Sequence, residues 1–277
     1  MKIIIFPVGF LVFVFFAAIF HMNAAPTQKQ SANKSLVVSR PDLKKINAAT
    51  LDPDTTSALN YQNLYKKFDN DVSCLEMTLD EYRYLYLGYM FQEDYDPYRK
   101  SKYTAEVEKY RSKPDLKKSD LDSIVKYSTK VLKDNPFDLR QMSFLIGVLR
   151  KLKKNNLADM WESRLENLLE AIRSTGTGES LETAMYVIYP EHEFDILNVM
   201  GYETDNIDYP KEGYDYFIVH PDGSKKIPKP LPGFYFNVER LQDQYELKHP
   251  FEEGMDAESP DYNADDLDYD EDEDEED

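Results

Sequence analysis

Hydrophobic positions along the chain follow two different spacings, and the change falls after Ser174. In the first part apolar residues recur every three or four positions, the period of a helix with one buried face. Ala58, Tyr61, Leu64, Tyr65 and Phe68 keep that spacing, as do Tyr82, Leu85, Tyr86, Tyr89 and Met90. Ahead of the second stripe, Thr78 and Glu81 have the separation of a capping box, in which each side chain satisfies the other's free backbone N–H. The polar stretch QEDYDPYRKSKY, with Pro97, ends that helix. Ser119 and Asp122 signal the start of a helix with Ile124, Tyr127, Val131 and Leu132 on one face. In KDNPFDL, Asn135 reads as an N-cap and Pro136 as the first helical residue, where a missing N–H costs nothing. Leu139, Met142, Leu145, Ile146, Leu149 and Leu152 line the helix that follows, and after KKNN another carries Trp161, Leu165, Leu168, Leu169 and Ile172. Short turns make such helices antiparallel neighbours.

The order helix, NPFD, helix, KKNN, helix is similar to a tetratricopeptide unit, with Gly147 suited to a close contact. Ala158 is off the repeat's spacing and no second copy follows, so the expectation is one packing unit, not an array. Beyond Ser174, MYVIYP, EFDILNVM, YDYFIVH and GFYFNV are short runs rich in Tyr, Phe, Val and Ile, separated by Gly, Pro, Asp and Asn. They predict a small antiparallel sheet, although MYVIY also suits the end of a short helix begun near Ser180. HPDGSK, with Asp222 and Gly223, reads as a turn, and Pro228, Pro230 and Pro232 keep the next stretch extended. Helices over about 40–173 followed by strands over about 180–245 give an α+β fold.

The ends differ from this body. Met1 and Lys2 precede an apolar run from Ile3 to Phe20 and the small residues Ala24 and Ala25, the order of a secretory signal over residues 1–25. The length of the run and Pro26 leave an uncleaved anchor as the alternative. A polar linker over 26–37 leads to a single domain over 38–250, and the signal pattern makes export the expectation. Of the formal charge of −19, 16 negative charges lie between Glu252 and Asp277, where no basic residue occurs, so the body carries only −3. The tail over 251–277 has too few apolar residues to offset the entropy of ordering, and disorder is expected there. Charge of this sign excludes nucleic-acid binding; the tail would attract cations or a basic partner. Membrane contact is expected only through an uncleaved N-terminal segment. Cys74 is the one cysteine, so no internal disulfide forms, and its neighbours suggest a small buried residue.

Candidate chemistry is sparse. STGTGES resembles a phosphate-binding loop, but Glu179 stands where the phosphate-contacting Lys belongs, and a helix stop formed by Gly176 or Gly178 is preferred. His192-Glu193 fails as a helical zinc motif because Ile196 occupies the second His position. On a strand, the two side chains would face opposite ways. His192 with Glu193 or Asp195 is the weak catalytic candidate, and Tyr214 with Asp215 the weak binding candidate. Asp261, Asn263 and Asp265 begin like a calcium loop, which Asp266 and Asp268 then break. No cofactor and no specific metal site are expected, and core packing is the favoured role for most of the 21 tyrosines.

Several long blocks occur in a familiar order: TLDEYRYLYLGYMFQEDYDPY, NPFDLRQMSFLIGVLRKLKKNNLADMWESRLENLLEAI, TGTGES, ETAMYVIYPEHEFDIL, YDYF and GFYFNV. Over about residues 40–245 the chain resembles domain-of-unknown-function family 4919, a family of exported bacterial proteins largely from Bacteroidetes. The resemblance implies a bacterial envelope protein, expected in the periplasm or the extracellular space, and assigns no activity. ETDNIDYPKE and HPDGSKKIPKPLP depart from the family pattern, and the acidic tail is additional. The expected function is a non-enzymatic module binding another envelope protein or a peptide through a helical groove or sheet edge; the alternative is a hydrolase-like enzyme using His192 with a neighbouring carboxylate.

Overall fold

The Tyr82–Met90 stripe forms the centre of the helical layer. In the computed structural model, residues 36–248 are described apart from Thr55 and Ser112. The apolar N-terminal run, the acidic tail and its broken calcium motif lie outside them. The helices are α1 (Leu43–Thr50), α2 (Tyr61–Asp69), α3 (Leu79–Gly88), α4 (Thr104–Arg111), α5 (Lys118–Asp134), α6 (Leu139–Lys151), α7 (Asn155–Arg173), α8 (Glu191–Met200) and α9 (Glu239–Lys248). Strands β1 (Met185–Tyr186), β2 (Tyr202–Lys211), β3 (Tyr214–Pro221) and β4 (Gly233–Asn237) form one sheet in the order β1-β4-β3-β2. From Val37 onward the described residues belong to one compact unit, and the fold is α+β.

The capping box forms as expected: Thr78 Oγ1 accepts from Glu81 N–H, while the Glu81 carboxylate accepts from Thr78 N–H at 2.7 Å. The stripe behind it is buried throughout and packs against α1, α2 and α7. Phe68 and Phe137 bring rings to the same core. Consecutive helices α5, α6 and α7 pack on one another. Gly147, however, is exposed with open space around it; the glycine that permits close helix packing is Gly88, where a Cβ would come within 2.5 Å of Thr50. Arg83 ties the N-terminal approach to the helical layer by donating to the Ser39 and Ser174 carbonyls, at 2.9 and 2.7 Å. The second contact places a cation where the α7 dipole leaves negative charge.

Several boundaries move. Asn135 ends α5, and Asp138 starts α6 by accepting from Gln141 N–H; Asp120, not Ser119 or Asp122, serves the start of α5 by accepting from Lys117 N–H. Ser174 caps α7, and Gly178, with φ of 74°, lies in the following loop. That loop joins the sheet: Gly178 accepts from Tyr235 N–H, and Thr175 Oγ1 accepts from Tyr186 N–H. Cys74 is buried, with its thiol near the Asp71 carbonyl.

The sheet is mixed, because β1 runs parallel to β4 while β4–β3 and β3–β2 are antiparallel. EFDILNVM is not a strand but most of α8, bounded by Pro190 and by Gly201 at φ 87°. ERLQDQYELK, inside the region expected to be sheet-rich, is α9. Conversely, the polar ETDNIDYPK is most of β2, an edge strand on which only Tyr202 is buried.

Candidate functional site

Helix α8 places two neighbouring ionisable side chains in different surroundings. Residues 192 and 196 share one side of the helix, and 193 and 197 lie one step round it; all four are buried. His192 turns into the core, where its Nε2–H donates to the Phe137 carbonyl (2.9 Å). That assignment leaves Nδ1 to accept from the Tyr86 hydroxyl (2.7 Å), which itself accepts from Ile188 N–H (3.1 Å). Burial holds the imidazole neutral, with its pKa lowered to about 3. Both ring nitrogens are therefore committed, neither to a carboxylate.

Glu193 instead meets Asp215 across the seam between α8 and the sheet. Alternation along β3 sends Asp215, Phe217 and Val219 to the helix-facing side, where Phe217 packs edge-on against Phe194 of α8. The same alternation sends Tyr214 away, towards Arg40 and Tyr186. The expected Tyr214–Asp215 pair is thus split, while Glu193 and Asp215, drawn from different candidate sets, come together. Asp195 is separate: its Oδ1 accepts from Arg140 Nε at 2.7 Å, its Oδ2 has no partner, and burial pushes its pKa up to about 6 despite the arginine.

The Glu193–Asp215 pair lines a cavity of about 60 Å³ with Tyr98, Pro190, Val238, Leu241 and Gln242. Gln242 is held there by accepting from Gly213 N–H at 3.0 Å, and Val238 N–H donates to the Gly213 carbonyl at 2.9 Å. These bonds clamp the start of α9 to the β2–β3 turn, where Gly213 adopts φ of 78° and a Cβ would come within 2.8 Å of Glu239. Glu193 is only 4% exposed. Its Oε1 and Asp215 Oδ1 are buried acceptors that find no donor among the surrounding side chains and backbone. A shared proton supplies one: burial, then the neighbouring Asp215 charge, raises Glu193 well above the usual carboxylate range. Burial also pushes Asp215 up to about 6, held back by the hydrogen bond it accepts from Glu193. The arrangement is an acid–carboxylate couple, able to hold a proton or to exchange it for another cation.

A larger groove of about 380 Å³ opens between Tyr61, Tyr65, Tyr89, Asp94, Arg99 and Lys133. Most of its charged groups are already paired: Arg99 donates to the Asp134 carbonyl, the Asp134 carboxylate accepts from Ser101, and Asp94 accepts from Tyr89. Size favours the groove, but unsatisfied buried polar atoms favour the Glu193–Asp215 cavity, and the latter is the stronger pointer to a ligand. Among the described residues no cluster of three or more His, Cys, Asp or Glu side chains is arranged to hold a metal ion. Sequence reasoning missed Tyr98, Gln242 and the whole contribution of α9; Val238 and Leu241, spaced three apart, were the available signal.

A helical layer, a mixed sheet and a carboxyl pair buried at their seam define an α+β domain with a cleft between its layers. The family model described as "Domain of unknown function (DUF4919)" matches residues 44–247, and the chain belongs to that family. Comparison with curated proteins and with solved structures finds no match.

Proposed function

We propose that the protein is an exported, non-enzymatic binding module that receives a protein or peptide partner at the cleft between α8, β3 and α9. The observation that carries this reading is the pairing of a concave, buried carboxyl couple with two exposed aromatic rings in electrostatic reach of it, Tyr98 at 50% and Tyr209 at 68% exposure. Aromatic anchors beside a desolvated pocket are the usual composition of an interaction hot spot. The free edge of β2 is a poorer docking site: Pro210, two register shifts and the charges of Glu203, Asp205 and Asp208 blunt it against an added strand. A hydrolase reading requires an imidazole open to substrate, and His192 is buried with both nitrogens engaged.

Export rests on the N-terminal pattern alone; among the described residues no helix is long and apolar enough to cross a membrane. The binding reading is tested by selecting a displayed peptide library on the full chain, then measuring the enriched sequences against the Tyr98→Ala/Tyr209→Ala double variant. Loss of at least tenfold in affinity is expected. Equal binding to both proteins, or no enrichment, would remove the proposal.

A further inference from the structure

We propose that the Glu193–Asp215 cavity is a recognition site for a primary alkylammonium group. This rests on the binding reading only for the identity of the partner, which would present the group as a lysine side chain. Two carboxyls taken out of water without a cation are costly, and proteins normally supply a counter-charge. None lines this cavity. Arg240, beside Leu241 on α9, is turned to the Met90 carbonyl and the Phe91 ring. The other titratable groups that interact with the pair or pack beside it are Glu191 on α8, Tyr86 on α3, Tyr98, Tyr209 and, against Tyr98, Tyr245, none of them cationic. Glu193 is nine-tenths buried and lines the space, Oε1 and Asp215 Oδ1 find no side-chain or backbone donor, and the one proton the pair can share leaves a buried negative charge with no cation beside it.

Shape and lining specify which donor. A volume of about 60 Å³ corresponds to roughly two waters at ~30 Å³ each, enough for a compact ammonium head. Its three N–H donors would match the facing carboxyl oxygens, while Pro190, Val238 and Leu241 offer an apolar wall for the alkyl stem. Tyr98, in edge contact with Tyr245, adds an aromatic side to the cavity. A divalent metal would ask for about six or more oxygens, beyond what two carboxyls supply. On binding, the ammonium enters with its charge, and the proton shared by the couple leaves to solvent.

The test is calorimetric titration of the full chain with 1,5-diaminopentane, with a short Nα-acetyl-lysine peptide, and with 1-pentanol as an uncharged control. Both amines are expected to bind and the alcohol not to. Affinity should rise with pH, by up to about tenfold per unit above pH 6, where Asp215 is ionised and the one proton displaced is that on Glu193, and the heat should vary with buffer ionisation enthalpy accordingly. Glu193→Gln should lower amine affinity at least tenfold while keeping or raising the melting temperature, so a loss cannot be assigned to unfolding. Binding of the diamine without the peptide would support the ammonium site while counting against a lysine-bearing partner. Equal binding of amine and alcohol, amine binding unaffected by Glu193→Gln, or no amine binding would overturn the proposal, leaving the peptide-library result to judge the binding module separately. Calcium binding in competition with the amine at millimolar excess would also overturn it, because the site would then select charge and not an alkylammonium head.

Discussion

Replacing Glu193 by Gln should make the protein more stable, and increasingly so as pH rises. The carboxyl is 4% exposed and its folded-state pKa stands well above its ordinary value of 4.5, first because of burial and then because of Asp215. Between 4.5 and that raised value the folded state binds more protons than the unfolded chain, so stability falls as pH rises through this window. Each pH unit of the window removes about 1.4 kcal/mol. Glutamine keeps the shape and an N–H donor towards Asp215 but does not titrate, so it escapes this loss. The two proteins should therefore have similar stability near pH 4 and diverge by about 1.4 kcal/mol per unit above 4.5 until the folded-state pKa is passed. Urea unfolding of the full chain at pH 4, 6 and 8, with midpoints and slopes fitted separately, measures the gap directly. A gap that stays constant with pH, or a variant less stable at pH 8, would refute the acid–carboxylate couple.

Two further substitutions test the surrounding framework. Tyr86→Phe keeps the ring in the core but strands the buried Ile188 N–H and His192 Nδ1, at about 1–3 kcal/mol each; urea unfolding should show a loss of about 2–6 kcal/mol, and less than about 0.5 kcal/mol would disprove the relay. Gly233→Ala puts a Cβ against the Tyr216 ring and 2.5 Å from the Phe217 carbonyl oxygen, so a cost of about 1–3 kcal/mol from overpacking is expected, and an unchanged thermal midpoint would contradict the close β3–β4 approach.

What was legible in the sequence was whatever a single element specifies by itself. The Tyr82–Met90 stripe and the Thr78–Glu81 box needed no partner to be recognised, and both stand as expected. α8 was misread because EFDILNVM is apolar enough for a buried strand, although Pro190 before it and Gly201 after it are helix-boundary signals. β2 was missed for the opposite reason: an edge strand with one sheet neighbour and mostly exposed side chains carries no alternating apolar pattern. The meeting of Glu193 with Asp215 could not be read locally, since it depends on the rotation of α8 and on which face of β3 looks inward. Because the segment is a helix, the argument from strand alternation that His192 and Glu193 face opposite sides has no geometric basis.

As a helix, the His192-Glu193 pair has a more specific consequence. The two residues are consecutive, both buried, and respond to pH in opposite senses. His192, neutral in the fold with a pKa lowered to about 3 from 6.5, contributes stability that is present above 6.5 and lost as pH falls through that interval, because only the unfolded chain takes up the proton. Glu193 contributes the reverse, with stability greatest below 4.5 and lost as pH rises towards its elevated folded value. One turn of α8 is therefore strained by acid on its core side and by base on its cavity side: in the fold neither charge is forced into the interior between about pH 3 and the raised value of Glu193, while relative to the unfolded chain the histidine's contribution is already declining below 6.5 and the glutamate's above 4.5. A cation arriving at Asp215 and Glu193 relieves only the second strain. Ligand binding at the cleft should consequently extend the stable range of this helix towards higher pH and leave its acid limit, set by His192 and the Tyr86 relay, where it was.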